Sequence, residues 1–410
     1  MTDPVGAAAG KASGATASGA TATTGPVTSP AEARELIGAA VGDLADGWDL
    51  AGELPVGLLR DLGARGLLCA QVAARYGGPG LSSAENGELT AYTGALCSSL
   101  RSVQTSQGMA AWTVGRLGDA EQRRRYLAAL TGGELAAVAF SEPEAGSDLA
   151  AMTTRIRRDG DALVVDGAKK WITAARYADH LVVFGRYGET AATAAPGSGS
   201  SGGTDAAAVV VVPRDAPGVT VEPVADPLGC RAAGHSHLTF DGVRVPSTAL
   251  LGGGEFALSL LVTTALTYGR LSVAWGCAGI LRACLKAAVR HASARQQFGV
   301  PLSGHQLISR HLAELLVAER NATRACEHAS RCWDERLPEL PSAAVLAKHV
   351  AATGAASGAA SAVQVLASAG ARDGHVVARA YRDAKLMEII EGSNEISQLL
   401  LAEYALTTAG

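Results

Sequence analysis

What this sequence does not contain narrows its class before any motif is considered. It has no CxxC pair and no even set of cysteines. The seven present, at 69, 97, 230, 277, 284, 326 and 332, exclude a disulfide framework and fit reduced thiols in a cytoplasm. Cys277 and Cys284, seven apart on an expected helix, read as core residues. Positive charge is not in excess: the formal net charge of -4 leaves no electrostatic footprint for nucleic acid or an anionic membrane. There is no GxGxxG, hence no Rossmann fingerprint. The most apolar segment, 271–280, is bracketed by Arg270 and Arg282 and falls short of the roughly 20 residues that a bilayer span needs, so no membrane span is expected. The opening stretch lacks a basic n-region and a Leu-rich core; residues 1–28 read as a disordered Ala/Gly/Ser/Thr tail instead of a signal peptide.

What is present suffices for a large globular protein, since 410 residues at 48% hydrophobic content can fill two or three packed layers. Residues 29–134 read as helices, with turns at Gly63, Gly66 and YGGPGLSS (76–83), and with one helix over 98–117 that stops at Gly118. Between 135 and 246 the pattern is that of strands: 154–164 around an Asp159-Gly160 turn, then 171–173, 181–184, 207–212 and 238–245. A small antiparallel β domain is the simplest assignment, interrupted by a low-complexity loop at 188–205. Helical periodicity returns over 247–410, with long helices expected at 255–297, 303–333 and 343–368, which together with the helical stretch in 381–395 make a four-helix bundle. The fold class is α+β, in the order helices, β domain, helices.

One stretch carries the chemistry. In YRDAKLMEIIEGSNE (381–395) apolar residues recur at helical spacing until Gly392 offers a left-handed helix end. Glu391 is therefore expected on the last helical turn, where the helix dipole and the neighbouring Ile389 and Ile390 raise its pKa and suit it to general-base work. Ser393 or Asn394 is placed to cap a following helix, whose free N–H groups favour an anion such as a diphosphate. His235 and His237 alternate on a strand but have no third ligand, and His305, His311, His328 and His349 show no usable spacing, so no metal site is expected.

Five stretches, YGGPG (76–80), FSEPEAGSD (140–148), KKWITAA (169–175), RQQFG with Gln306, and RDAKLMEIIEGSNEI (382–396), together resemble the acyl-CoA dehydrogenase family, over about 54–404. The resemblance implies FAD as cofactor and a set of residues that hold it: Phe140, Ser141, Gly146, Ser147, Trp171 and Thr173 at the isoalloxazine and diphosphate, and Ser393 and Glu395 after the base. It also implies that Arg295, Gln297 and Phe298 reach the FAD of a neighbouring subunit and that Gln364 to Gly370 form the adjoining loop. At least a homodimer is thus expected, as is an external electron acceptor that the sequence leaves open. Where the family has Gly-Gly, this chain has Ala367-Ser368. Glu391 matches the base position, and a second position used by some members is Gly269 here. Arg270 is expected to orient Glu391 or to line the pocket, an ordinary ion pair being the alternative.

Within the family, CSSLRSVQTSQGMAAW (97–112), GCRAAGHSHL (229–238) and YGRLSVAWGCAGILRAC (268–284) resemble the branch of polyketide pathways that makes hydroxymalonyl- and methoxymalonyl-acyl carrier protein. That implies oxidation at the β-carbon of a glyceryl-derived acyl group tethered to a carrier protein. A fatty acyl pocket calls for aliphatic side chains, whereas residues 98–107 are crowded with polar ones. Arg101, Ser98, Ser99, Tyr268 and Gly392 are accordingly expected at the substrate, with Arg101 reading the acyl hydroxyl or the nascent carboxylate. The alternatives are an ordinary short-chain acyl-CoA dehydrogenase, an aminomalonyl-forming relative acting on a seryl thioester, and a catalytically silent partner that keeps the fold.

Overall fold

The computed structural model describes Val27 and residues 29–188, 206–254 and 256–408. The expected tail and the 188–205 loop, apart from Val27 and Gly188, lie outside the described residues. Val27 is buried and its N–H donates to Arg65 O (3.3 Å), so ordered packing begins before residue 29.

The first helices are α1 (Pro30–Val41), α2 (Ala45–Ala51), α3 (Val56–Ala64), α4 (Ser83–Leu96), α5 (Ser98–Leu117), α6 (Ala120–Gln122) and α7 (Ala128–Thr131). Caps explain where they start. Ser29 accepts from Glu32 N–H at α1, and Ser82 with Glu85 closes a reciprocal capping box at α4. Helix α5 has the expected limits, with Gly118 as its C-cap.

The chain then forms β1 (Ala136–Ala139), β2 (Arg155–Asp159), β3 (Ala162–Ile172), β4 (His180–Tyr187), β5 (Ala206–Pro213), β6 (Val219–Pro223), β7 (Ser236–Pro246) and β8 (Phe256–Ala257). They make one sheet in the order β6-β7-β3-β2-β4-β5-β8, with β1 added to β4. The β2–β3 hairpin forms as expected, turning at Gly160-Asp161, one residue later than the sequence suggested, because Asp159 still pairs with Ala162. The sheet is not purely antiparallel: both β1 and β2 run parallel to β4. Strand β1, Ala-Ala-Val-Ala, is too short and uniformly apolar to show the alternation that reveals a strand in sequence.

The last third contains α8 (Leu258–Ala294), a small hairpin of β9 (Gln296–Gln297) and β10 (Val300–Pro301), then α9 (Gln306–Asp334), α10 (Leu340–Leu366), α11 (Val376–Met387) and α12 (Asn394–Thr408). The apolar segment expected to be short is part of α8, which runs for 37 residues. By length and hydropathy α8 and the helix beginning at Leu340 could cross a membrane, but 72% of the most apolar window of α8 is buried within the protein. It is the core helix of the bundle, packed against α4, α5, α9, α10 and α11.

Small residues let α8 come this close to its neighbours. A Cβ on Gly279 would lie 2.0 Å from Ala91 O, and one on Gly94 would lie 2.9 Å from Gly276 O. Backbone cannot step aside as a flexible side chain can. Gly279→Ala is therefore expected to lower stability by about 1–3 kcal/mol, read as a fall in Tm. An unchanged Tm would contradict this account of the α4–α8 contact.

Candidate active site

Helix α11 stops at Met387, four residues before Glu391, so Glu391 is not on a helical turn as expected. It sits at the apex of a tight turn with φ 57°, followed by Gly392 at φ 87°. A left-handed glutamate is strained, and two buried cations account for its persistence. Lys348, on α10 and fully buried, donates to Gly392 O (2.8 Å), Glu388 O (3.4 Å) and Asn394 Oδ1 (3.4 Å). Arg270, on α8, donates through Nε to Glu391 O (3.1 Å). Arg270 thus grips the backbone of Glu391 instead of pairing with its carboxylate. The carboxylate is left with Oε2 buried and unpartnered.

Burial lifts the Glu391 carboxyl from 4.5 to about 7, against the opposing pull of Arg270, Lys348 and Arg101. The direction agrees with the sequence-based expectation; the cause is desolvation. Gly269 makes the space: a Cβ there would lie 2.1 Å from Glu391 Oε2 and 2.6 Å from Met109 Cε. Two side chains cannot share this position, which explains physically why a base at 391 accompanies glycine at 269. Burial also pushes the Lys348 ammonium down to about 8.

The KKWIT motif lies at the end of β3. Lys169 and Glu142, both fully buried as side chains, form an ion pair of 2.8 Å. Lys169 donates also to Phe140 O (2.9 Å), and Glu142 accepts from Thr153 N–H and Thr154 N–H. Burial opposes ionisation of Glu142, yet Lys169 and these donors outweigh it and hold the carboxyl at about 2. The pair locks the FSEPEAGSD loop to the KKWIT strand, a link for which the sequence offered only the two motifs' proximity in order. Trp171 follows at φ 58°, half exposed, its N–H donating to His237 Nδ1 (3.3 Å). Thr173 Oγ1 lies 3.2 Å from His235 Nδ1. His237, in β7, and His235, just before it, thus brace the turn at 171–173.

Helix α5 forms the third wall. Its polar residues are buried as expected, but most are occupied in joining domains. Gln104 donates to Leu67 O, Ser106 to Ala136 O and Thr173 O, Gln107 to Leu130 O and Glu134 O, and Ser99 accepts from Ala232 N–H. Buried polar groups need partners, and here the neighbouring backbone supplies them; Ser99 keeps its hydroxyl proton to donate. Ser98 is buried at the first turn of the same helix. Tyr268 also turns away from Glu391; its hydroxyl lies 3.5 Å from Asn86 Nδ2 in the helical core. Arg101 is different. It is 1% exposed, its Nη1 and Nη2 reach only Thr105 Oγ1 (3.3 Å) and Met387 Sδ (3.0 Å), and its Nε has no partner. Thr105 Oγ1 in turn lies 2.7 Å from Ser272 Oγ.

The remaining sequence-predicted residues divide by place. Ser141 is half-buried beside β3, whose Lys170 N–H donates to Ser141 O (2.8 Å). Gly146 and Ser147 lie exposed, with open space where a Gly146 side chain would be. Phe140 is turned inward, its ring stacked on Phe184 at 3.8 Å. Ser393 Oγ accepts from Ile396 N–H (3.4 Å) and so caps α12, and Glu395 stands exposed in its first turn. Arg295, Gln297 and Phe298 project on the β9–β10 hairpin, Phe298 94% exposed, away from the Glu391 pocket of their own chain. Gln364 is exposed and Gly370 buried against Leu366 and Val377. Ala367, at the Gly-Gly position, adopts φ 50°, a conformation that favours glycine. Among the described residues His328, Cys332 and Glu339 bring ligand-type atoms within 4.8 Å of one another, but the Cys332 thiol already donates to Glu339 (3.3 Å).

Two outcomes follow from this geometry. A base must be ionised to act, so the single-turnover rate with a thioester substrate should rise with pH through about 7. Arg270→Gln, which removes the largest cationic contribution at Glu391, should move that rise to higher pH. A profile flat through this region, or unmoved in the variant, contradicts the role of Glu391. Gly269→Ala should displace the carboxylate and cost about 10²-fold in kcat with circular dichroism unchanged; full activity would contradict the close approach.

Family models match the chain in three consecutive parts: the acyl-CoA dehydrogenase N-terminal domain over residues 30–134, the middle domain over 137–243 and the C-terminal domain over 260–406. The probable acyl-CoA dehydrogenase YngJ of Bacillus subtilis is 32% identical over 360 residues, covering 87% of this chain and 92% of its own. Among solved structures, FkbI, described for biosynthesis of the methoxymalonyl extender unit of the Fk520 polyketide, superposes with a TM-score of 0.84 at 60% identity, over 91% of this chain and 99% of FkbI. A glutaryl-CoA dehydrogenase from Mycobacterium smegmatis in complex with FADH2 gives 0.83 at 26% identity, over 93% and 94%. Three domain matches in order, together with a relative at 32% identity over most of both chains, establish that the chain belongs to the acyl-CoA dehydrogenase family.

Proposed function

We propose that this protein is an FAD-dependent acyl-thioester dehydrogenase that oxidises the β-carbon of a glyceryl-derived three-carbon acyl group held on an acyl carrier protein. The product lies toward hydroxymalonyl-acyl carrier protein, from which a methoxymalonyl extender unit for polyketide synthesis is made. The observation that carries this reading is Arg101: a fully buried cation with no carboxylate partner among the described residues. Such a charge is costly unless a ligand completes it, and an aliphatic acyl chain cannot. A hydroxylated acyl group on its way to a carboxylate can. The extensive likeness to FkbI supports the same substrate class.

The residues present fit FAD. The half-exposed Trp171, the Thr173 hydroxyl, Ser141 and the open backbone at Gly146-Ser147 would hold the isoalloxazine and diphosphate, and in a homo-oligomer Arg295, Gln297 and Phe298 of a second copy, with Gln364 and Gly370, would close the far end. When bound, FAD accepts the hydride from the substrate's β-carbon. Glu391 Oε2, desolvated and unpartnered, takes the α-proton. The Glu391 N–H makes no hydrogen bond among the described residues and would donate to the thioester carbonyl, acidifying the α-carbon; a positioned base and a positioned donor each contribute about 10²–10⁴-fold and 10²–10³-fold. Arg270 and Lys348 keep the turn that aims both groups. Seven buried free thiols suit a cytoplasmic setting, where carrier proteins of this kind are loaded.

The test is anaerobic bleaching of the bound flavin. Glyceryl-loaded carrier protein should bleach it and butyryl-CoA should not. Arg101→Ala should lower the rate with the glyceryl group by about 10²-fold. Bleaching by butyryl-CoA alone would make this an ordinary short-chain acyl-CoA dehydrogenase, and preference for seryl over glyceryl carrier protein would make it an aminomalonyl-forming relative.

A further inference from the structure

The histidine that braces Thr173 has one nitrogen for which the fold supplies nothing. His235 sits just before β7 with Nδ1 3.2 Å from Thr173 Oγ1, its ring 6.0 Å from that of Trp171, and its Nε2 buried without a hydrogen-bond partner. His237, two residues on, has the opposite arrangement: its Nδ1 accepts the Trp171 N–H and it stands nearer solvent. Bracing the 171–173 turn needs only one nitrogen from each ring. An apolar ring of similar shape would fill the space of His235 without stranding a buried polar atom, and stranded polar atoms cost free energy. Two other buried polar atoms are also unpartnered, Glu391 Oε2 and Arg101 Nε, and the Arg101 charge acts on both His235 and Glu391. Three orphaned groups from three separate elements, the 171–235 side of the sheet, α5 and the turn after α11, are thus linked through the Arg101 charge.

We infer that His235 is a specificity-determining residue whose Nε2 hydrogen-bonds a hydroxyl of the acyl group, opposite Arg101. This rests on the substrate class proposed above. Burial, aided by the Arg101 charge, pushes the imidazole down to about 4, so the ring is neutral at physiological pH. In the tautomer whose Nδ1–H donates to Thr173 Oγ1, Nε2 is an acceptor, suited to a hydroxyl and unsuited to a carbonyl or carboxylate. Arg101, a donor without acceptor capacity, serves the complementary oxygen. A site built to hydrogen-bond a hydroxyl discriminates strongly against the substrate that lacks it, because its own polar group is then left bare.

The experiment uses the holoenzyme with carrier protein loaded with either a glyceryl or a propionyl group, following anaerobic flavin reduction, together with equilibrium binding of the unreactive amide analogue of each thioester. In His235→Phe, which keeps a ring of similar size, the glyceryl-to-propionyl ratio of kcat/KM should fall by about 10–10²-fold, and the glyceryl amide should bind less tightly by a similar factor. His235→Gln, which returns a polar atom near the Nε2 position, should recover most of the ratio. Equal losses on both acyl groups, or an unchanged ratio in His235→Phe, overturn the inference while leaving the proposed function in place. A wild-type enzyme that reduces its flavin with propionyl but not glyceryl carrier protein overturns the proposed function, and this inference with it.

Discussion

The site depends on holding a carboxylate away from every group that would satisfy it. Arg270 and Lys348 are both near enough to Glu391 to lower its pKa, and either could have formed an ion pair with it. Instead each is committed to main-chain carbonyls of the 388–394 turn. A rise from 4.5 to about 7 corresponds to roughly 3 kcal/mol of disfavoured ionisation. That cost, and the strain of a left-handed glutamate, must be met by the packing of α8 and α10 on either side. Breaking either cation's grip would let the turn relax and the carboxylate find a partner.

The same core helix that supplies Arg270 also supplies the empty space. Gly269 and Gly276 are seven residues apart on α8, two helical turns, and so share a face. A side chain on the first would strike Glu391 and on the second Arg101, whose Cδ and Nε would lie 2.8 Å from the added Cβ. Glycine within a helix costs roughly 0.5–1 kcal/mol relative to alanine. In α8 this cost is incurred where two charged side chains must pass the backbone, so the pocket is carved by missing atoms as much as built from present ones.

Much of this was legible in sequence, for identifiable reasons. Helix α5 carries a glycine stop and α4 a capping box, both local signals, and their limits could be read directly. The parallel strand β1 could not, because four small apolar residues carry no period. Glu391 was found through its motif, but its place on a helical turn was misread: the pattern of apolar residues runs on to Ile390 while the backbone departs at Met387, pulled by Lys348 from 40 residues earlier. Lys348, Glu142 and Lys169 looked like ordinary charges, since nothing local marks a Lys whose partner is a distant carbonyl or acid. The polar run of α5 was noticed for one reason and is there largely for another. Arg101 in it is left without an acid; Ser106 and Gln107 join the helical domain to the β domain and Gln104 ties α5 to Leu67 within its own domain, roles that depend on neighbours far away in sequence.

The charges around Glu391 are best understood through what happens to them during proton transfer. Arg270, Lys348 and Arg101 all favour a negative charge in the pocket. In the proposed reaction Glu391 becomes neutral as it takes the α-proton and negative charge develops on the acyl group, so at that stage the pocket as a whole neither gains nor loses charge. A cation equidistant from both positions would stabilise the two states alike and contribute nothing to the rate. Arg270 and Lys348, fixed to the backbone of the base's own turn, lower the pKa of the base and so favour the resting state. Arg101 stands on a different helix, with donors unspent, and its influence can grow as charge moves toward the substrate. Desolvation works in the same direction by raising the energy of the resting carboxylate alone. Glu391 therefore sits near neutral pH as the balance between three cations that favour its charge and a buried environment that opposes it, and in the proposed reaction Arg101, the one cation not fixed to the Glu391 turn, is placed to act on the acyl group.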